Sequence, residues 1–209
     1  MRPALATFKM AERNISYEDR VVVIVSGRPG AGKTTLAEQL APALRIPLLR
    51  KDVFKETLHD VLERQDNDPF RHSSIMGNAS MMLMWRLASD FPAVMLESNF
   101  RYDNRFEQEK LLSLSDSIVE VYCRVSAEVA QARFRARNSD PDCHPVHCSS
   151  EMPLDWFDQF KAPMGLGPVI EVDTTRAVDV DQLASELRGL LPGRPRLDRG
   201  VDGHQIRRS

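Results

Sequence analysis

The stretch Gly27-Arg-Pro-Gly-Ala-Gly-Lys-Thr34 decides how the rest of this chain is interpreted. It fits the pattern G-x-x-x-x-G-K-[ST] at every fixed position, and in that pattern glycines let backbone N–H groups turn toward phosphate oxygens. The β-branched run Val21-Val-Val-Ile-Val25 precedes it, and a stretch with helical spacing of apolar residues, 33–44, follows it. A buried strand, a glycine-rich turn and a helix N-terminus together predict a P-loop that binds the phosphates of a nucleoside triphosphate.

Two residues of this loop have side chains that the chemistry requires. The ammonium group of Lys33 can reach the β- and γ-phosphates, and the hydroxyl of Thr34 can be a ligand of Mg²⁺. The residues predicted to bind the nucleotide are Gly27, Arg28, Pro29, Gly30, Ala31, Gly32, Lys33, Thr34 and Thr35. The competing interpretation is a glycine-rich turn that precedes a helix by chance, and the strand–turn–helix context argues against it.

Strand-like and helix-like segments alternate outward from the P-loop. Strands are predicted at 21–25, 47–49, 93–96, 118–125 and 168–172, and helices at 33–44, 53–64, 74–90, 103–114, 127–137 and 180–191. This alternation predicts an α/β fold of three layers, in which right-handed crossovers place helices on both faces of a parallel sheet. Ligands of such sheets bind at the carboxyl ends of the strands.

The length of 209 residues suits one α/β domain and is short for two. That domain is predicted at 20–191, with a loop or lid at about 138–153, where three prolines interrupt any periodicity. Residues 1–19 are interpreted as an N-terminal extension. Residues 192–209 are rich in Gly, Arg and Asp, and a disordered tail is expected there.

Composition narrows the classes of function. A formal net charge of -2 argues against a general nucleic-acid binder, and three cysteines do not suggest a disulfide framework. No apolar stretch is long enough to span a bilayer, and the N-terminus lacks the apolar segment of a secretion signal. A soluble, cytoplasmic protein without a membrane partner is therefore expected, whereas the oligomeric state leaves no signal in the sequence.

These features resemble the small P-loop kinases of the predicted-kinase, AAA_33-like type, which are related to gluconate kinase, chloramphenicol phosphotransferase, zeta toxin and the kinase domain of polynucleotide kinase. The resemblance covers about residues 20–190. It rests on short segments in the right order: Gly27–Thr35, Leu48–Asp52, Leu96–Phe100, Arg133–Arg137 and Val172–Thr175. It implies a P-loop NTPase fold with a five-stranded parallel sheet of order 2-3-1-4-5 and a lid, and the use of ATP and Mg²⁺.

Two carboxylates follow predicted strands and are expected at the rim of the phosphate site. Asp52 comes just after the second strand, and Glu97 ends the third. The sheet order implied by the resemblance puts the third strand beside the P-loop strand, so Glu97 is assigned to support Mg²⁺. By the same resemblance, Asp52 matches the acidic residue that acts as the base toward an acceptor hydroxyl. The alternatives are that Asp52 caps the following helix, that Glu97 makes only a structural hydrogen bond, or that the two roles are exchanged.

Arg133 and Arg137 lie four residues apart, so they share one face of the helix that leads into the lid. The resemblance implies that both contact the phosphates of ATP as the lid closes, where guanidinium groups would stabilise the charge of the transferred group. They are therefore candidate catalytic and nucleotide-binding residues. The alternative is a solvated basic face of the helix.

The lid segment Asp142-Cys-His-Pro-Val-His-Cys148 raises the possibility of zinc. Structural zinc sites usually draw ligand pairs from separated segments, and the adjacent Cys143 and His144 cannot easily reach one ion together. A mobile loop in which His144 or His147 faces the substrate or the solvent is favoured instead.

The predicted function is ATP-dependent transfer of the γ-phosphate to a hydroxyl of a small molecule, such as a sugar, a nucleoside, an antibiotic or another metabolite. One alternative is a kinase of nucleic-acid 5′-hydroxyls, but aromatic residues for base stacking make up only 7% of the chain. Another is a nucleotide-dependent regulatory protein. A GTPase switch would show Asn-Lys-x-Asp and a post-strand Asp-x-x-Gly, and neither is present.

Overall fold

A computed structural model describes residues 20–62, 69–147 and 152–191 of the chain. The predicted extension, the predicted tail and Cys148 lie outside the described residues. Five strands form one parallel sheet of order β2-β3-β1-β4-β5, which confirms the predicted order. The strands are β1 Val21–Gly27, β2 Leu48–Arg50, β3 Ala93–Glu97, β4 Ser117–Arg124 and β5 Val169–Asp173.

Helices connect these strands and cover both faces of the sheet, as predicted. They are α1 Lys33–Leu44, α2 Lys51–Val61, α3 Pro69–Ala88, α4 Arg105–Leu112, α5 Ala127–Asn138 and α6 Val180–Leu190. Within the described ranges, no helix is both long and apolar enough to cross a membrane.

Several predicted helix boundaries are wrong, and each error has a local cause. The third helix begins at Pro69 rather than at 74, because proline is well tolerated in a first helical turn. The fourth helix begins at Arg105 rather than at 103, since the side chain of Asn104 accepts hydrogen bonds from the N–H groups of Phe106 and Glu107 as its N-cap. The second helix begins at Lys51, so Asp52 lies inside its first turn and Arg50 occupies the N-cap position.

The core consists of two apolar clusters, one on each face of the sheet. Strand β1 is buried along its whole length, and its side chains alternate between the clusters. Val23 and Val25 pack with α1, α5 and α6, whereas Val22 and Ile24 pack with α3 and α4. This burial on both faces fixes the end of β1, and therefore the start of the P-loop, at the centre of the sheet.

A 3-10 helix, Leu154–Phe160, follows the predicted lid, in a stretch for which the sequence predicted no element. Phe157 is fully buried, and its ring makes an edge contact with Phe134 of α5 at 5.8 Å between centroids. Trp156 packs against Phe157 and Phe160 in the same way. An aromatic cluster therefore joins α5 to the segment that precedes β5.

Candidate active site

The P-loop has a backbone that only glycine adopts easily. Gly30 and Gly32 have φ angles of 83° and 80°, in the left-handed region. A Cβ added to Gly30 would lie 2.4 Å from the carbonyl oxygen of Ala130 in α5. The loop is therefore packed directly against the start of α5.

Lys33 is buried at the first position of α1, with only 5% of its surface exposed. Its Nζ donates a hydrogen bond to the carbonyl oxygen of Arg28, 2.9 Å away across the loop. Burial lowers the pKa of Lys33, although the negative charges of Glu97 and Asp52 act in the opposite direction. The ammonium group is thus held over the loop by one carbonyl, a partner that a phosphate oxygen can replace.

Glu97 lies beside the P-loop strand, in register with Val25. It is 4% exposed, and its Oε2 accepts a hydrogen bond of 3.4 Å from the hydroxyl of Thr34. Burial raises the pKa of Glu97, against the effect of the Lys33 charge. A hydroxyl and a carboxylate oxygen side by side are donors of the hard type that Mg²⁺ prefers, so these residues fit that ion.

Asp52 lies in the first turn of α2, two residues after Arg50, which is in register with Glu97. Its Oδ1 is 2.7 Å from Nζ of Lys51. Burial alone would raise the pKa of Asp52, but the adjacent charge of Lys51 and its hydrogen bond outweigh burial and hold this pKa well below its usual range. The carboxylate is therefore ionised, and its charge acts on both Lys33 and Glu97.

Lys55, one turn further along α2, was not singled out by the sequence. It is buried, and its Nζ donates to the hydroxyl of Ser73 at 2.7 Å and to the carbonyl oxygen of Val146 at 3.3 Å. Burial, assisted by the charge of Lys51, lowers the pKa of Lys55 to about 8. Lys55 is a buried cation that bonds both α3 and the segment 139–147. The region where these elements meet α2 is therefore a second part of the candidate site.

The segment 139–147, within the predicted lid, lies against α2. Besides the bond from Lys55 to Val146, His147 Nε2 is 2.9 Å from the Oε1 of Glu56. Within its described residues the segment contains turns but no helix or strand beyond α5. Since these contacts join positions about ninety residues apart, helical spacing in α2 alone could not have revealed them.

The two candidate arginines of α5 point to different parts of the site. Arg133 donates from Nη2 to the carbonyl oxygen of Thr174 at 3.1 Å, and it lines a cavity of about 380 Å³ together with Gly32 and Thr35 of the P-loop. Arg137 lies over the ring of Phe134, with 5.2 Å between its Cζ and the ring centroid. Its charge helps to lower the pKa of Lys33, so the two cationic groups lie close enough to interact.

Two further residues of the predicted loop, Arg28 and Ala31, contact the surrounding elements. The Arg28 side chain points away from the concave side, because it donates to the carbonyl of Val125 at 2.9 Å and approaches Asp158 at 3.4 Å. Ala31 is fully buried, and its carbonyl accepts a 2.7 Å hydrogen bond from the Thr174 hydroxyl. The side chain of Arg28 and the backbone carbonyl of Ala31 therefore hold the loop in place.

Comparisons with known proteins agree with this geometry. A candidate kinase from Chloroflexus aurantiacus superposes with a TM-score of 0.72 at 29% identity, covering 84% of this chain and all of the other. Shikimate kinase from Acinetobacter baumannii, bound to shikimate, superposes at 0.56 with 19% identity over 83% of this chain and 94% of its own. A gluconokinase from Sinorhizobium meliloti superposes at 0.50 with 19% identity over 83% and 93%. At their lower identity the last two show the fold alone.

No curated protein matches the sequence significantly. The family model described as an AAA domain matches residues 22–164, which is more than half of the chain. This range begins in β1, includes the P-loop, Asp52, Glu97 and both arginines, and ends shortly before β5. The chain therefore belongs to this AAA domain family, AAA_33, and has the fold of its P-loop kinases.

Proposed function

We propose that this protein transfers the γ-phosphate of ATP to a hydroxyl group of a small molecule. The observation that carries the proposal is the meeting of three groups at the carboxyl ends of β1, β2 and β3. These groups are a buried P-loop lysine, Lys33, the hydroxyl–carboxylate pair of Thr34 and Glu97, and the ionised carboxylate of Asp52. A protein that only binds a nucleotide needs the first two groups, whereas an ionised carboxylate beside them also suits an acceptor hydroxyl.

The nucleotide is assigned to the P-loop and the cavity next to it. Backbone N–H groups of the loop and the N-terminus of α1 favour phosphate oxygens, and Lys33 would exchange its bond to Arg28 for a bond to the β- or γ-phosphate. Thr34 and Glu97 are the residues that would hold Mg²⁺, an ion that neutralises phosphate charge during transfer. The cavity lined by Gly32, Thr35 and Arg133 has room for the base and the sugar.

Asp52 is assigned to the acceptor. A carboxylate with a low pKa is a weak base, so we infer that Asp52 orients the acceptor hydroxyl and takes its proton only as the bond from the hydroxyl oxygen to phosphorus forms. Because Glu97 is buried and bonded to Thr34, it is assigned to the metal rather than to the acceptor.

Arg137 is assigned to the charge on the transferred phosphoryl group, because its own charge already acts on Lys33. Arg133 is assigned to the nucleotide side, because it borders the cavity. Both arginines therefore keep their predicted role of binding phosphate. Arg137 is assigned the position nearer to the transferred phosphoryl group.

The acceptor is assigned to the space between α2, α3 and the segment 139–147. The shikimate kinase and the gluconokinase with this fold are named for hydroxylated small molecules, which supports an acceptor of that class. Helix α2 supplies three charged side chains there, Lys51, Asp52 and Lys55, which suit an acceptor rich in hydroxyl groups.

The test is a screen with the purified full chain, Mg-ATP and a library of sugars, nucleosides and hydroxylated antibiotics, followed by mass spectrometry. We expect one compound class to gain one phosphate, with a stoichiometric amount of ADP formed. A phosphate gained by oligonucleotide 5′ ends instead would favour the nucleic-acid kinase. Tight ATP binding with no product and no ADP would favour a regulatory protein.

A further inference from the structure

Four of the five histidines of the chain lie together, although the sequence separates them widely. His59 belongs to α2, His72 to α3, and His144 and His147 to the segment 139–147. The ring centroid of His59 is 5.5 Å from that of His72 and 5.2 Å from that of His144, and the rings of His144 and His147 are 6.1 Å apart. None of His59, His72 and His144 has a part in the proposed transfer reaction.

One carboxylate oxygen joins two of these rings. Oδ1 of Asp60 is 3.0 Å from His144 Nε2 and 3.6 Å from His59 Nδ1. The three donor atoms all lie within 4.8 Å of one another. Donors bound to one tetrahedral zinc ion are about 3.4 Å apart, given metal–donor bonds of about 2.0 to 2.2 Å. Small side-chain rotations would therefore bring all three donors onto one ion.

The nitrogen of His59 that faces this group has a long contact with Asp60 but no hydrogen bond among the described residues. Nδ1 is buried, and it has no hydrogen-bond partner within the part of the chain that the structure describes. A buried polar atom without a partner is costly, so native proteins usually supply one from protein, water or an ion. Asp60 is just beyond hydrogen-bond distance on the side where an ion would sit.

We propose that His59, Asp60 and His144 form a binding site for a divalent transition-metal ion of the zinc class, which ties the segment 139–147 to α2. Two imidazoles and one carboxylate select such an ion over Mg²⁺, which prefers oxygen donors only. A water molecule completes the tetrahedron, because Asp60 is on the exposed side. The ligands come from two separated segments, α2 and the segment 139–147. The zinc hypothesis drawn from the sequence, in contrast, used residues 142–148 alone.

Binding has a consequence for the proton on His144. The N–H of Val146 donates to His144 Nδ1 at 3.2 Å, so neutral His144 carries its proton on Nε2 and donates it to Asp60. When Nε2 binds a metal ion, the proton moves to Nδ1 and the bond from Val146 is given up. Since the carbonyl of Val146 accepts from Lys55, metal binding is expected to shift this turn next to the proposed acceptor space.

The experiment titrates untagged, chelator-treated protein, free of nucleotide, with Zn²⁺ by calorimetry and with Co²⁺ by visible absorption. We expect one ion per chain, with an absorption band of four-coordinate Co²⁺. His59→Gln, Asp60→Asn and His144→Gln should each weaken binding about tenfold or more. The controls are His204→Gln, which changes the fifth histidine, and the double variant Cys143→Ser with Cys148→Ser, and both should bind as the unchanged protein does.

The proposal is overturned if the unchanged protein binds no ion stoichiometrically, or if binding survives in both histidine variants. Loss of binding in the cysteine double variant with retention in His59→Gln would overturn it in favour of a site within the lid alone. The Asp60 side chain is 63% exposed, so Asp60→Asn should fold normally, and a melting curve without metal verifies this. Equal melting temperatures without metal, with a metal-induced rise only in the unchanged protein, would support the proposal.

Discussion

A substitution at Asp52 should separate ATP binding from phosphoryl transfer. Asp52→Asn keeps the shape of the side chain but removes the charge that we propose acts on the acceptor. We expect ATP affinity within a few-fold of the unchanged protein, and transfer slower by about 10² to 10⁴-fold, because orientation of the hydroxyl and proton acceptance are both lost. Calorimetry gives the affinity, and single-turnover product formation gives the rate.

Asp181→Asn is the matched control, because Asp181 is an exposed residue of α6 and does not line the cavity beside the P-loop. It should bind ATP and transfer phosphate at the unchanged rate. Transfer at the full rate in Asp52→Asn would instead move the base elsewhere, with Glu97 the next residue to replace.

Lys55 gives the stability of the protein a defined dependence on pH. Its pKa is about 8 in the folded protein and 10.5 ordinarily, so between these values the unfolded chain binds more protons than the folded one. The contribution of Lys55 to the free energy of unfolding therefore rises with pH across this window, by at most about 1.4 kcal/mol per pH unit. Below pH 8 the cost of burying the charge is present in full.

Lys55→Met removes the charge and keeps most of the volume. We expect the free energy of unfolding of the unchanged protein, measured relative to this variant, to increase from pH 7.5 to pH 10. Urea unfolding at several pH values measures it, and the comparison cancels groups common to both proteins. A difference that does not vary with pH would show that Lys55 titrates normally in the folded state.

Candidate site residues that a local pattern defines can be named from the sequence, whereas those that depend on distant contacts cannot. Lys33 and Thr34 follow from the spacing of the P-loop, and Glu97 from its place at a strand end. Lys55 and His59 become notable only because the segment 139–147 folds back onto α2. The sequence alone does not indicate which turn of α2 that segment contacts.

At the scale of elements, the contact between the P-loop and α5 constrains both. Gly30→Ala would place a Cβ 2.4 Å from the carbonyl of Ala130 at a φ of 83°. We expect a loss of about 1 to 3 kcal/mol in the free energy of unfolding and a marked loss of ATP affinity, because either the loop or α5 must move. Chemical unfolding and calorimetry measure the two effects.

Gly77→Ala is the control for this variant. Gly77 lies within α3, where an added Cβ meets no atom within 4 Å. Alanine there should stabilise the protein by about 0.5 to 1 kcal/mol and leave ATP affinity unchanged. Equal effects of the two substitutions would contradict the close approach of the P-loop to α5.

Elements with a strong period were predicted well, and elements held by tertiary contacts were not. Helix α1 has the predicted bounds because Leu36, Leu40 and Leu44 recur at helical spacing between a glycine turn and Arg45. The 3-10 helix 154–160 was missed, since its bounds reflect aromatic packing against α5 rather than a period of its own. Helix α2 begins earlier than expected because the chain turns directly from Arg50 into the helix.

At the scale of the whole molecule, the sheet order determines which residues can act together. With β3 and β4 on either side of β1, the strand ends bring the P-loop within reach of Glu97, and β2 beyond β3 places Asp52 on the outer side. Alternation of strands and helices predicted a parallel sheet, but alternation alone is compatible with several orders. The order came from the resemblance to P-loop kinases, and the structure confirms it.

The central claim is that this loop holds a nucleoside triphosphate through Lys33, and calorimetric titration with Mg-ATP tests it most directly. The unchanged protein should bind one Mg-ATP per chain, and so should Lys110→Ala, which changes a lysine of α4 that contacts the Phe106 ring. Lys33→Ala should show no measurable binding while it keeps the circular dichroism spectrum of the fold. Unchanged affinity in a folded Lys33→Ala variant would contradict the claim.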